Sequence, residues 1–273
     1  MLSLLVHELR IRWGSIVGWS TGVAAFVILY LAIYPEIERQ LGESAAAAKF
    51  FSLYRVIGIE VGSFEAYFAS AVVQFVPVLL GVYAILNGTD TLAGEEDRGT
   101  LELLIAMPLP RWQIVTAKAI AMIVAAMMVL LLVGVSAMAT FPALKIKTSI
   151  SAIDILMAIM SAWPVIIAFM MISLFLGSCV PTRRIAAMTA TVIFVASYFG
   201  ERFTNLAKSL RPLSRLSLFH YVDSTSTLFT EGVRAPDVGI LLGTGAVFFA
   251  LSLVCFERRD VTTRAWPWRR NAG

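Results

Sequence analysis

Glu95, Glu96, Asp97 and Arg98 place four charges in a row between two long apolar runs. A bilayer interior takes such a group only at high cost, so residues 94–118 (GEEDRGTLELLIAMPLPRWQIVTAK) are expected in water or at a membrane surface. Thr100 offers a hydroxyl suited to N-capping, and the LELLIAM behind it consists of strong helix formers. Leu101, Leu104 and Ile105 fall at i, i+3 and i+4 and share one face, with Glu102 on another. Pro108 and Pro110 end this short helix, and Arg111-Trp112 joins a cation to an indole where the chain re-enters the membrane. The chemistry on offer is binding. An apolar face rimmed by charge either rests on lipid or inserts into a groove on a soluble partner.

Catalytic chemistry finds no constellation. His7-Glu8 begins like the zinc-protease HExxH, but its fifth position is Ile11. His7 and His220 lie far apart and make no recognisable metal set; His220 is expected to be structural, within reach of Tyr221 and Asp223. GxxxxGK[ST] does not occur, so the chain is not expected to bind nucleotide through a P-loop of its own. No catalytic residue, metal or cofactor is assigned to it. Glu65 and Asp154 stand at the edges of apolar runs, and the runs hold almost no acids or histidines. A proton relay needs such groups inside the membrane, so energy is expected from a partner.

The composition says where these residues work. Of 273 residues 59% are hydrophobic and 15% charged, and the mean hydropathy is +0.82. Soluble domains carry about 45–50% apolar and about 25% charged residues, so this is a polytopic membrane protein. Apolar runs of about twenty residues without long alternation select helices over a barrel. The net charge of +4 does not indicate nucleic acid. Arg258, Arg259, Arg264, Arg269 and Arg270 crowd the C-terminal tail, where they would meet anionic membrane lipid.

The expected fold is an all-α membrane protein, a single transmembrane domain over residues 1–273, with six spans at about 14–34, 64–86, 119–141, 153–180, 185–199 and 238–256. Residues 1–13 suit a short interfacial helix anchored by Trp13, and Pro35 is expected to end the first span. Amphipathic helices are expected over 36–64. In the second span Pro77 is a candidate kink and Gln74 needs a hydrogen-bond partner. Gly134, Ser136 and Ala137 are small packing residues of the third, and Trp163-Pro164 marks a break in the fourth. The segment 201–236 reads as surface-lying or partly re-entrant helices broken at Pro212. No cleavable signal peptide is expected, because the first apolar run is too long and Ala45–Ala48 lies well beyond it.

Six spans put both termini on one side. Arg183-Arg184 in a short loop and the arginine-rich tail assign that side to the cytoplasm, in the plasma or inner membrane. Cys179 and Cys255 then fall near cytoplasmic span ends, where ordinary packing is expected and a disulfide is not.

EEDRGTLELL followed by a proline-containing turn, Arg-Trp and a transmembrane helix resembles the first cytoplasmic loop of ABC-2-type permeases, the membrane subunits of ABC exporters. RLSLFHYVD…LFTEG also resembles the region before their last span. The resemblance implies that Thr100 to Met107 is a coupling helix between spans 2 and 3, contacting an ATPase subunit. Glu96, Arg98, Thr100, Leu101, Leu104 and Ile105, with Glu102 and Arg111 at its margin, would bind that partner. It further implies two copies of the ATPase, which carries the ATP and magnesium, and a second permease subunit completing the pathway. A non-transporting anchor or assembly factor, recruiting a soluble partner through the 94–118 loop, is the competing reading.

Overall fold

In the computed structural model the residues described are 2–43, 63–100, 110–144, 146, 148, 150–180, 182–206, 214–222 and 228–258. Among them are helices and turns and no strand. Among the described residues five helical segments are long and apolar enough to cross a membrane: Val6–Arg39, Phe64–Asp97, Arg111–Leu144, Ala152–Cys179 and Ala235–Arg258.

Helix α1 (Leu2–Glu43) runs unbroken over 42 residues. At 1.5 Å per residue that is about 63 Å, twice the hydrocarbon thickness. The expected separate helix over 1–13 is therefore the first part of one long rod, and Pro35 lies inside it. Proline costs a helix one hydrogen bond and crowds the carbonyl four residues back. Packing on both sides of Pro35 overrides that cost. Tyr34 meets Phe64 and Tyr67 at ring-centroid distances of 5.0 and 5.1 Å, and Ile37 is buried one turn on. Along the rod Glu8, Ile16, Ser20, Val23, Val27 and Leu31 form the buried stripe, while Trp13, Val17, Leu29 and Ile33 stay exposed for lipid.

Helix α2 (Phe64–Asp97) is continuous but twice loosened, by π-turns at Ala69–Val73 and Asp90–Gly94. The irregularity thus precedes Pro77, which sits in the first turn of the regular stretch Val76–Thr89, where a missing N–H costs little. Helix α3 (Arg111–Thr140) packs along α1. Helix α4 (Ala152–Met160) starts with a reciprocal cap, the Ser151 N–H donating to Asp154 Oδ2 at 2.7 Å, and gives way at Ser161–Ala162 to α5 (Trp163–Cys179), whose first turn holds Pro164. The expected break in the fourth span is present.

Helix α5 is buried almost throughout, between α2, α6 (Arg183–Leu206) and α8 (Ala235–Arg258), with the short α7 (Leu228–Glu231) preceding the last. Phe194 of α6 stacks edge-on to Phe169 of α5 at 4.8 Å, and Phe219 closes over both, so the turn Leu218–Tyr221 is held by aromatic contacts. α6 coincides with the fifth expected span. It is not among the five long apolar segments, because Arg184 and Glu201 bound a stretch interrupted by Thr189, Thr191 and Ser197. Cys179 and Cys255 are joined in a disulfide, contrary to expectation, since α5 and α8 run side by side and bring the two Cα atoms to 5.7 Å. His220 lies 3.3 Å from Glu201; its other expected neighbour, Asp223, is outside the described residues.

The crossing of α2 and α5 has no room for a side chain. A Cβ on Gly88 would lie 2.5 Å from Ser173 Cβ and 2.8 Å from the Met170 carbonyl oxygen. Alanine normally favours a helix over glycine by about 0.5–1 kcal/mol. At Gly22 of α1 nothing lies within 4 Å of a Cβ. Gly88→Ala is expected to lower stability by about 1–3 kcal/mol through overpacking, and Gly22→Ala to leave it unchanged or slightly raised. Thermal unfolding of the purified variants in one detergent checks the contrast.

Candidate functional site

One end of the bundle gathers charge from α1, α2, α3 and α6. It begins at Lys118, two turns into α3 and 0% exposed. Its Nζ donates to Glu8 Oε1 of α1 and to Glu95 Oε1 of α2, both at 2.5 Å. An ammonium cannot be buried alone, and here two carboxylates share it. Arg12 stands one turn after Glu8 on the same face of α1, 3.4 Å from Glu8 Oε2. Its guanidinium also donates to Asn87 Oδ1 at 2.8 Å and Thr91 Oγ1 at 3.0 Å on α2. Three helices are thereby fastened by charge-assisted bonds.

A second cluster lies beside the first. Asp90 Oδ1 accepts from Arg98 Nη1 at 2.9 Å and from Arg183 Nη1 of α6 at 3.1 Å. The paired Asp90 carboxylate holds the Arg98 guanidinium above its ordinary pKa, so Arg98 stays charged at every physiological pH. The backbone N–H of Arg183 donates to Asp97 Oδ2 at 3.2 Å, which ties the first turn of α6 to the end of α2. Gly94 makes this possible, since a Cβ there would fall 2.2 Å from Asp90 Oδ1.

The π-turn Asp90–Gly94 sits between Asp90, which faces α6, and Glu95, which faces α3. An extra residue in one turn rotates the remainder of the helix, so two neighbouring acids reach different partners. α2 then stops in a Schellman cap. Gly99 adopts φ 71°, its N–H donates to the Glu96 carbonyl at 3.0 Å, and the Thr100 N–H donates to the Glu95 carbonyl at 2.9 Å. On the far side of the loop, Pro110 caps α3 and Arg111 donates to the Phe256 carbonyl at 3.4 Å, at the negative end of α8.

Of the residues expected to bind a partner, Glu96, Arg98, Thr100 and Arg111 are described; Leu101, Glu102, Leu104 and Ile105 lie outside the described residues, as does the rest of the expected helix. Glu96 is buried, and Glu95 nearly so. The expectation that all four charges lie in water or at a membrane surface is corrected: Asp97 and Arg98 are exposed, whereas Glu96 is buried and Glu95 turns inward, where Lys118 supplies the opposite charge. The Thr100 hydroxyl donates backward to the Glu95 carbonyl at 3.1 Å, closing α2. Sequence reasoning missed Glu8, Arg12, Asn87, Asp90, Thr91 and Lys118. A signal for Lys118 existed, a lone cation inside an otherwise apolar helical run. Among the described residues no three His, Cys, Asp or Glu side chains are grouped to hold a metal.

Removing one member of a buried ion cluster leaves the others uncompensated, at roughly 3–5 kcal/mol. Lys118→Met is therefore expected to lower the unfolding midpoint sharply, and Lys118→Met/Glu95→Gln to recover part of the loss. Additive losses in the double variant would contradict the pairing.

No curated protein matches the chain in sequence. The ABC-2 family transporter protein family matches it over residues 2–261, nearly its whole length and all the helices described above. Members of this family are membrane transport subunits rather than catalytic ones. The chain belongs to the ABC-2 transporter family, as the membrane-embedded permease component of an ABC transporter.

Proposed function

We propose that the chain is the permease subunit of an ATP-driven exporter, working as a pair that forms the translocation pathway, with each copy resting on a separate ATPase through residues 100–107. The observation that carries this reading is the fixing of both roots of that segment. The α2 root ends in a Schellman cap after Glu95, and the α3 root begins at Arg111 and includes Lys118, which bonds to Glu95. A segment whose two ends are held by a buried ion pair passes a push from a docked partner into α1, α2 and α3 together. Nucleotide binding that draws two ATPases together would thus tilt these helices as a unit. In this reading α6 is the fifth of six spans and α8 the sixth, both termini face the cytoplasm, the complex sits in the inner or plasma membrane, and ATP and magnesium belong to the partner.

The apolar positions Leu101, Leu104 and Ile105 form a face too short to be stable as a helix unless buried against something. Leu104→Asp removes a leucine and adds an unpaired carboxylate to that contact. The variant is expected to lose the ATPase in pull-down from detergent while keeping its own unfolding midpoint, and Glu102→Ala is expected to retain it. Full retention by Leu104→Asp, or ATP hydrolysis by the purified chain alone, would overturn the assignment.

A further inference from the structure

Cys179 and Cys255 join α5 to α8 at the end of the bundle that carries the ion clusters. Packing alone already holds these two helices together. Phe175 and Phe248 meet at 5.5 Å between ring centroids, and Gly245 lets α8 approach until a Cβ there would touch Ile167 and Ala168 at 3.5 and 3.7 Å. The bond therefore acts locally, on the last residue of α5 and the last turn of α8. Its Cα separation of 5.7 Å falls in the usual range of about 4.4–6.8 Å, so the bond can open and re-form without movement of the backbone.

Each cysteine sits beside one root of the 100–107 segment. Four residues after Cys179, Arg183 opens α6 and fastens to Asp90 and, through its N–H, to Asp97 at the end of α2. Next to Cys255, the carbonyls of Phe256 and Glu257 accept from Arg111 at the start of α3, at 3.4 and 3.5 Å. The disulfide thus completes a ring of contacts that runs from α2 through α6, α5 and α8 to α3. With the bond open, the end of α8 can follow Arg111 without drawing on α5. In the orientation proposed above this end faces the cytoplasm, where disulfides are usually transient or redox-sensing and seldom fixed staples.

We propose that Cys179 and Cys255 are a redox switch on coupling: joined, they resist the nucleotide-driven tilt of α1, α2 and α3, and reduced by a dithiol, they release it. The switch rests on the docking and orientation proposed above. Cys179 is 5% exposed and Cys255 is the more open of the two, so exchange starts at Cys255. A thiolate of the reductant attacks Cys255 Sγ, the disulfide breaks, and Cys179 leaves as a thiolate that takes up a proton. The second thiolate of the reductant then attacks its own sulfur in the mixed disulfide and displaces Cys255, which is protonated in turn. Two electrons and two protons pass to the protein, and the dithiol becomes a disulfide.

The test uses the complex with its ATPase in detergent, poised with oxidised or reduced dithiothreitol. The oxidised complex should bind a non-hydrolysable ATP analogue about fivefold more weakly than the reduced one, at the lower end of couplings between distant sites. Linkage is reciprocal, so the analogue should raise the equilibrium constant for reduction by dithiothreitol by the same factor. Cys179→Ser/Cys255→Ser should bind as the reduced complex does in both buffers. Equal or tighter binding by the oxidised complex would overturn the proposal. So would a redox effect that persists in the double variant, since the switch would then lie in the ATPase. In cells trapped with acid and then alkylated, the pair should be reduced during growth and joined after treatment with a thiol oxidant. A pair joined in both conditions would be a fixed staple and would overturn the proposal too. An ATPase whose affinity for the analogue is the same with and without the permease would fail the docking reading, and the switch with it.

Discussion

Everything at the charged end of this molecule depends on an ammonium group that water does not reach. Lys118 is buried between Glu8 of α1, 110 residues away in sequence, and Glu95 of α2. A charge in such a place is stable only while its partners hold their positions. The arrangement therefore fixes the rotation of α1, the rotation of α2 after its second π-turn, and the depth of α3. Apolar packing between helices in a membrane is less selective, because lipid tails are as apolar as the side chains they would replace. The ions supply the registry that leucine and valine cannot.

The surroundings are arranged around that constraint. Arg12 sits one turn from Glu8 and reaches across to Asn87 and Thr91, extending the fastening along α2. Glu95 faces α3 only because the π-turn rotates it away from Asp90, which serves Arg98 and Arg183. α6 is drawn in through Arg183, and its Phe194 packs on α5 where Gly81 leaves space for the ring. Gly99 and Pro110, which flank the segment proposed to dock the ATPase, both belong to elements of this assembly. In the proposed transport cycle that is the useful property, since a partner pressing on the loop moves a body and not a strand of chain.

Much of the fold was legible in the residues. Long apolar runs required membrane helices, and Trp163-Pro164 announced the break between α4 and α5 because proline belongs in a first turn. The same rule misled at Pro35, where aromatic packing of Tyr34 on α2 carries the helix through. The run EEDR was readable as the start of a loop from its charge, but its inward half was not. Glu95 becomes a buried residue only when Lys118 and Glu8 arrive, and periodicity along one helix says nothing about which distant charge will face it. Likewise α6 resembles a span in position while its polar interruptions set it apart from the five longer segments. Arg98-Gly99 was a helix stop in plain view, a glycine at the left-handed position that ends α2.

The central claim is that α1, α2 and α3 move as one body held by Lys118. It is tested most directly by spin-label distances between Val6 of α1 and Trp112 of α3, both exposed positions near the cluster, in the complex with its ATPase. The account predicts a narrow distance distribution that is the same with and without a non-hydrolysable nucleotide, and one that broadens when Lys118 is replaced by methionine. A wild-type distance that shifts on nucleotide binding, or a distribution indifferent to the loss of Lys118, would contradict it.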